Sequence, residues 1–304
     1  MTWTKKGLIY CPDKSIGWAE NSALTPTPII IDDYLRVYAG FRDSFGVSRI
    51  GFVDVDIEDP SKVINVSTKP ALDIGRPGSF DDNGVILGDI LFFEKKYYMY
   101  YVGFQLVRNV KFLAFTGLAV SNDDGVSFER VSEAPIMDRS DEGVYFRAIH
   151  SVIHEDGLWK CWYGSGSAWT VIDKKPYPSY TIRYAESVNG VNFNGVGAEI
   201  FSFQENEYRI GRPRVIKENA AYQMYFTVGT LAGSYLPGFA KSIDGKEWHR
   251  NDLLSGLGPS ALGWDSRCVS YMAPIKVNNK EYVFYNGNNM GREGFGFAER
   301  KIED

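Results

Sequence analysis

The chain has 304 residues, 44% of them hydrophobic and 23% charged, with a formal net charge of −5. That length allows a sizeable core, and the acidic balance excludes a general electrostatic pull toward nucleic acid or anionic membrane. Aromatics make up 15%, an excess that suits the pleated, half-buried surfaces of a β-rich fold.

Taken in chain order, the N-terminal run WTKKGLIY (3–10) is followed by five versions of one arrangement. The first has a polar turn at Asp32-Asp33, then YAG (38–40), IGFVDVD (50–56) and an outer run VINVSTKPAL (63–72). The second opens with SFDDNGVILGDILFF, turns at Glu94-Lys95-Lys96, and continues through YVG (101–103) to TGLAVSND (116–123). The third has AIHSVIH, a turn at Asp156-Gly157, WYG (162–164) and IRYAESVN (182–189). The fourth turns at Glu218-Asn219 and departs slightly, with MYFTVG (224–229) before PGFAKSID (237–244). The fifth turns at Asn278-Asn279 and runs through YNG (285–287) to FGFAERK (295–301), without an outer strand of its own.

Each version reads as strand, tight turn, strand, loop, strand and usually an outer strand. Radial repetition of such units predicts one all-β domain over residues 1–304, a five-bladed β-propeller with four-stranded antiparallel blades. The N-terminal strand is expected to complete the fifth blade and close the ring, which removes two open sheet edges. The Asp/Asn-Gly pairs in SNDDGVSF (121–128), SVNGVNF (187–193) and SIDGKEW (242–248) are expected to be structural turns.

In a propeller the segments before each first strand converge on the axis. Carboxylates recur there, 12 to 14 residues before each hairpin turn: Glu20, Asp82, Glu142, Glu207 and Asp265. Such convergent carboxylates could hold sugar hydroxyls or perform acid–base work at a glycosidic bond, and these five are the catalytic candidates. The substrate-binding candidates are Asp81, Arg42, Asp43, Arg147, His150, Trp169, Arg212, Trp264, Asn286 and Asn288. Carboxylates and amides bind hydroxyl pairs, aromatic faces cover the C–H side of a sugar ring, and arginines suit a ligand carboxylate or phosphate. Tyr177, Tyr180, Arg209 and Arg267 lie in the same segments. The structural alternative for each carboxylate is a turn or cap, and for each arginine a salt bridge between blades.

Other chemistry finds no motif. There is no phosphate-binding Gly-Lys-Ser/Thr loop, no Gly-x-Ser-x-Gly and no His-Glu-x-x-His. Cys11, Cys161 and Cys268 are far apart, and His150, His154 and His249 have no metal-ligand spacing, so neither metal nor cofactor is expected. No run reaches 18 apolar residues and the N-terminus has no apolar targeting segment, so no membrane partner and a cytoplasmic location are expected.

The signatures RPRVIKENAAYQMYF, APIKVNNKEYVFYNG and AKSIDGKEWHR resemble those of the five-bladed propeller glycosidases, glycoside hydrolase families 43, 32, 68 and 130. FDDNGV, GWDS and YNGNNMGREGFGFA resemble an uncharacterised branch associated with bacterial polysaccharide genes. The Asp-Pro and Glu-Gly-Pro of family 43 are replaced by ENSALTPTP and EGVYFRAIHS, and only Asp82 matches a catalytic position of those families. The resemblance implies a carbohydrate-active protein with a carbohydrate or sugar-containing small molecule as partner. The expected activity is glycosidase-like. The alternatives are a non-catalytic glycan or nucleotide-sugar binder, or a glycosyl-transferring or phosphorolytic enzyme.

Overall fold

A computed structural model describes residues 2–193 and 195–302. After β1 (Thr4–Tyr10) come five consecutive runs of strands. They are β2–β5 (Asn21–Ile31, Tyr34–Arg42, Ser48–Asp56, Val63–Val66) and β6–β9 (Val85–Phe93, Lys96–Gln105, Leu113–Ser121, Glu129–Arg130). Next are β10–β13 (Phe146–Glu155, Leu158–Ile172, Lys175–Ser187, Ala198–Glu199) and β14–β17 (Glu207–Glu218, Ala221–Thr230, Tyr235–Ser242, His249–Arg250). The last is β18–β20 (Ser270–Val277, Lys280–Asn286, Phe295–Lys301). Among the described residues there is no α-helix, so the molecule is all-β, as its aromatic-rich runs and tight turns predict.

Within each run successive strands pair antiparallel. The predicted turns fall where expected, with Asp32, Glu94, Lys95, Asp156, Asn219 and Asn278 at positive φ. β1 pairs with β20, Thr4 opposite Glu299 and Tyr10 opposite Phe295, which gives the last run its fourth strand. A short parallel contact of Phe146 and Arg147 with Ala114 and Phe115 joins the second and third runs into one sheet.

The core lies between runs rather than within them. Tyr38, Ile50 and Phe52 pack on Leu87, Met99 and Tyr101. Tyr100 and Leu118 meet Trp159 and Cys161, and Trp162 and Ile182 meet Ile210 and Met224. Tyr225 and Phe239 meet Met272 and Val283, and Tyr282, Phe284 and Phe297 return to Leu35, Val37 and Val53. The third-strand glycine of the sequence repeat serves this packing. A Cβ at Gly117 would strike the Tyr101 ring, and one at Gly238 the Phe226 ring.

The Asp/Asn-Gly turns staple one run to the previous one. Ser121 and Asp123 cap the backbone around Gly125, whose carbonyl accepts the Tyr38 hydroxyl at 2.6 Å. Gly190 accepts Tyr100 at 2.8 Å and Gly245 accepts Trp162 Nε1 at 2.9 Å in the same way. Tyr282 of the last run donates to the Glu58 carbonyl of the first at 2.9 Å. These buried donors have partners, which turns a desolvation cost into a fixed spacing between runs.

Candidate functional site

The first strands β2, β6, β10, β14 and β18 touch in succession, and β18 touches β2. Each breaks register at a corresponding place, after Leu24, Leu87, Ile149, Gly211 and Ser270, and β2 and β14 have a second, earlier break. The residues displaced from the ladder begin at Thr25, Gly88, His150, Arg212 and Tyr271, spaced 63, 62, 62 and 59 apart. A β-bulge bends its strand and re-aims a side chain. Here five bulges turn toward the same centre.

Thr25, Arg212 and Tyr271 hold φ of 56°, 53° and 58°. Left-handed backbone at residues other than glycine costs on the order of 1–3 kcal/mol each and concentrates at functional sites. Arg212 ties the centre together. It donates to the Gly88 carbonyl, to Thr27 Oγ1 at 2.9 Å, and lies 3.2 Å from His150 Nδ1. Asn286 fixes the first bulge by accepting from Thr25 N–H at 2.8 Å while donating to the Ala23 and Gly294 carbonyls.

Above these bulges lies a cavity of about 1010 Å³. Thr25, His150, Arg212 and Tyr271 form its floor with Arg42 and Arg209. One wall is aromatic: Tyr180 stacks on Phe146 at 4.7 Å, and Phe112 meets Phe104 edge-on at 5.2 Å. Next to this wall the Arg209 guanidinium lies 6.0 Å from the Tyr180 ring, 4.5 Å from the Tyr235 ring and 4.7 Å from that of Tyr208. Arg108, Lys111 and Lys175 stand at the mouth with Phe45, whose ring is almost fully exposed. Among the described residues no carboxylate lines it.

The charge states follow from burial. Desolvation, with Arg212 alongside, holds the His150 imidazole well below its ordinary basicity, so it is neutral at pH 7. Arg212 is itself pushed down to about 10 by burial, and burial also lowers Arg42. Burial raises the Tyr271 hydroxyl even though Arg209, Arg212 and Arg42 act on it in the other direction. The floor is therefore cationic around a protonated tyrosine.

His150 gives a pH signature. Below about pH 6.5 the unfolded chain takes up this proton while the folded one does not, so stability falls as pH drops from about 7 toward 5. Asn at this position keeps an acceptor for Arg212 and removes the titration. The urea midpoint of His150→Asn is expected to fall less over that range than that of the parent chain. Equal slopes would show that His150 protonates without cost.

The structure brings Arg42, His150 and Arg212 of the sequence-predicted residues into the cavity. The five carboxylates do not line it. Glu142 pairs with Arg147 at 3.0 Å and Arg183 at 3.7 Å and accepts the Tyr163 hydroxyl at 2.6 Å. Arg147 is thereby held outside the cavity. Glu207 pairs with Arg250 at 2.5 Å, and Asp265 with Lys5 at 2.5 Å and Tyr285 at 3.0 Å. Asp82 accepts from Gly78 N–H at 2.8 Å, and Glu20 is half-buried beside β3.

Asp81 is fully buried, accepting from Ser79 at 2.8 Å, Tyr101 at 3.1 Å and Arg130 at 2.8 Å. Asp43 caps the turn to Val47 and pairs with Arg49 at 2.9 Å. Trp264 stacks on Tyr285, and Asn288 accepts from Arg267 and Cys268 N–H. Trp169 packs behind the aromatic wall against Phe112. Tyr271, Tyr235, Thr25 and Gly88 were not singled out by the sequence reading. The signal that finds Thr25, Gly88 and Tyr271 is the common offset of the bulges across the repeat; Tyr235, on β16, lies outside that series.

Among the described residues no group of three His, Cys, Asp or Glu is placed to hold a metal, and no helix is long and apolar enough to cross a membrane.

No family model matches the sequence. The uncharacterized protein Rv1502 of Mycobacterium tuberculosis (strain ATCC 25618 / H37Rv) is 31% identical over 301 residues, covering 98% of this chain and 99% of that protein. Among solved structures, a complex of BT0996 with RGII superposes with a TM-score of 0.76 at 18% identity, over 98% of this chain and 91% of the other. A glycoside hydrolase gives 0.77 at 17% identity, over 99% and 92%. A structure from work on family 130 glycoside hydrolases that target β-1,2 mannosidic linkages in Candida mannan gives 0.74 at 13% identity, over 99% and 94%. At these identities the likeness is one of fold, a propeller-like fold shared with glycoside hydrolases.

Proposed function

This chain belongs to the family of the uncharacterized mycobacterial protein Rv1502, which it matches from end to end, and for it we propose a single five-bladed β-propeller that binds a carbohydrate in its central cavity. The five inter-run core clusters and the return of the last run onto the first support the ring. The pairing of β1 with β20 supports closure by the N-terminal strand.

One observation carries the choice of function: a central cavity of about 1010 Å³ lined by aromatic faces, arginines and a neutral histidine, with no carboxylate among the described residues. Aromatic faces and a few convergent polar groups are what a sugar ring requires. Cleavage by two carboxylic groups needs a pair about 5–5.5 Å or 6.5–9.5 Å apart across the bond; of the five candidate carboxylates Glu142, Glu207 and Asp265 are held in ion pairs and Asp82 in a turn, and Glu20 does not line this cavity either. The protein therefore holds its sugar without that chemistry. Glycosidic cleavage is the second reading, favoured by the fold shared with glycoside hydrolases.

Calorimetric titration with a panel of mono- and oligosaccharides, run beside a turnover screen of aryl glycosides, separates the two. We expect saturable binding that Tyr180→Ala weakens at least about tenfold, about 1.4 kcal/mol, and no turnover. Turnover that disappears in Asp82→Asn would establish the second reading, and absence of any carbohydrate binding would remove the first.

A further inference from the structure

The charge of the cavity runs against that of the protein. The chain carries 33 Lys and Arg against 38 Asp and Glu, yet among the described residues the cavity lining contains Arg42, Arg108, Lys111, Lys175, Arg209 and Arg212 and no acidic residue. Three of the cations sit at the floor, where neither the neutral His150 nor the protonated Tyr271 offsets them.

A guanidinium taken out of water is normally paired. Elsewhere in this molecule that rule holds: Arg36 is bidentate on Asp54, and Arg250 engages both Glu207 and Asp252. The floor is different. Arg209 is only 8% exposed and its Nε has no acceptor among the described residues. The carboxylate nearest in effect on Arg212 is Asp89, which is itself engaged by Arg214 and by Val152 N–H. No carboxylate acts on Arg42, whose charged neighbour is Arg292. The Tyr235 hydroxyl and Thr25 Oγ1 at the same floor are also buried without partners. All three guanidiniums act electrostatically on one point, the Tyr271 hydroxyl, which is carried on a bulge with φ of 58°.

From this we infer that the floor is an oxyanion subsite: the bound sugar is acidic, and its carboxylate or phosphate group is received by Arg42, Arg209 and Arg212 around Tyr271. Planar guanidiniums match both groups with paired N–H donors. The unpartnered hydroxyls of Tyr235 and Thr25 supply further donors. The aromatic wall of Phe146 and Tyr180 then covers the uncharged ring. The inference rests on the reading of this cavity as the carbohydrate site.

The test is titration of the intact protein at low ionic strength with D-glucose, D-glucuronate, glucose 6-phosphate and inorganic phosphate, repeated with Arg209→Met and Arg42→Met. Two variants are used so that a folding defect in one leaves the other, and each is checked by circular dichroism. The expected result is that at least one acidic sugar binds ten-fold or more tighter than glucose. The preference should fall to near unity in either variant. Whichever of glucuronate and glucose 6-phosphate binds more tightly identifies the group. Equal affinity for glucose and both acidic sugars overturns the subsite and leaves the carbohydrate reading standing. Inorganic phosphate that binds as tightly as every sugar, and is lost in both variants, keeps the subsite and overturns the carbohydrate reading. No binding of any anion at about 10 mM overturns the subsite outright.

Discussion

Asp81→Ala lowers the stability of this protein by about 3 kcal/mol, whereas Asp82→Ala changes it by no more than about 0.5 kcal/mol. The two aspartates are adjacent and of the same chemistry, so the contrast isolates environment. Asp81 has no exposure to solvent, and its oxygens receive Ser79, Tyr101 and Arg130. Its removal leaves the Tyr101 hydroxyl without an acceptor and Arg130 without its charge partner. Breaking a fully buried pair costs about 3–5 kcal/mol. The lower end applies here, because Arg130 retains some solvent contact and a bond to the Asp73 carbonyl. Asp82 meets one backbone N–H in a turn that backbone bonds already close. With about 2.1 cal/mol/K of unfolding entropy per residue, the Asp81 variant melts roughly 5 °C lower. A larger loss in Asp82→Ala would place the anchoring role on the wrong residue of the pair.

The recurrence of carboxylates before each first strand was legible in the sequence, and its period is real. What the structure shows at these segments is a clamp repeated from run to run. In three runs a carboxylate accepts a tyrosine hydroxyl 20 or 21 residues further on: Glu142 from Tyr163, Asp265 from Tyr285 and, in the second run, Asp81 rather than its neighbour Asp82 from Tyr101. A cation then lies over the same ring: Arg130, Arg147 and Lys5. The fourth run keeps the ion pair, with Arg250 on Glu207 and over Phe226, although Phe226 has no hydroxyl. Sequence periodicity records that a position is repeated in space. It does not tell which way the side chain faces, because one bulge shifts a strand by one residue and reverses inside and outside.

The fold was more legible than the site for the same reason. Turns such as Asp32-Asp33 and Asp156-Gly157 announce themselves by composition, and the glycines at 117 and 238 by their need for a neighbouring ring. Four cavity residues are legible as polar groups, Arg42 in the loop after YAG (38–40) and His150, Arg209 and Arg212 in the approach segments. Tyr271 is not, since a tyrosine in a strand of a tyrosine-rich chain reads as core. Only its place beside Thr25, Gly88, His150 and Arg212 in the bulge series marks it.

Trp3→Ala tests whether the ring and the cavity depend on each other. Trp3 is 5% exposed, donates from Nε1 to the Ser255 carbonyl at 2.9 Å, and has the Arg300 guanidinium 4.1 Å from its ring. It packs with Tyr225, Met272 and Val283 at the junction of the fourth and fifth runs. Truncating a buried tryptophan costs about 3–5 kcal/mol, so a midpoint drop of roughly 5–8 °C is expected from the same entropy scale. The ligand effect is more informative. Met272 follows Tyr271 on β18, and β18 reaches β1 through β19 and β20. If β1 closes a ring, loosening its attachment lets the fifth first strand move relative to β2 and β14. Tyr271 would then lose its position among the three arginines. A displacement of about 1 Å at such a site is enough to cost large factors in recognition, and binding of the preferred sugar is expected to weaken about tenfold at a temperature where the variant is still folded. Lowered stability with unchanged affinity would mean that β1 supports the last sheet locally and that the cavity floor holds its geometry without it.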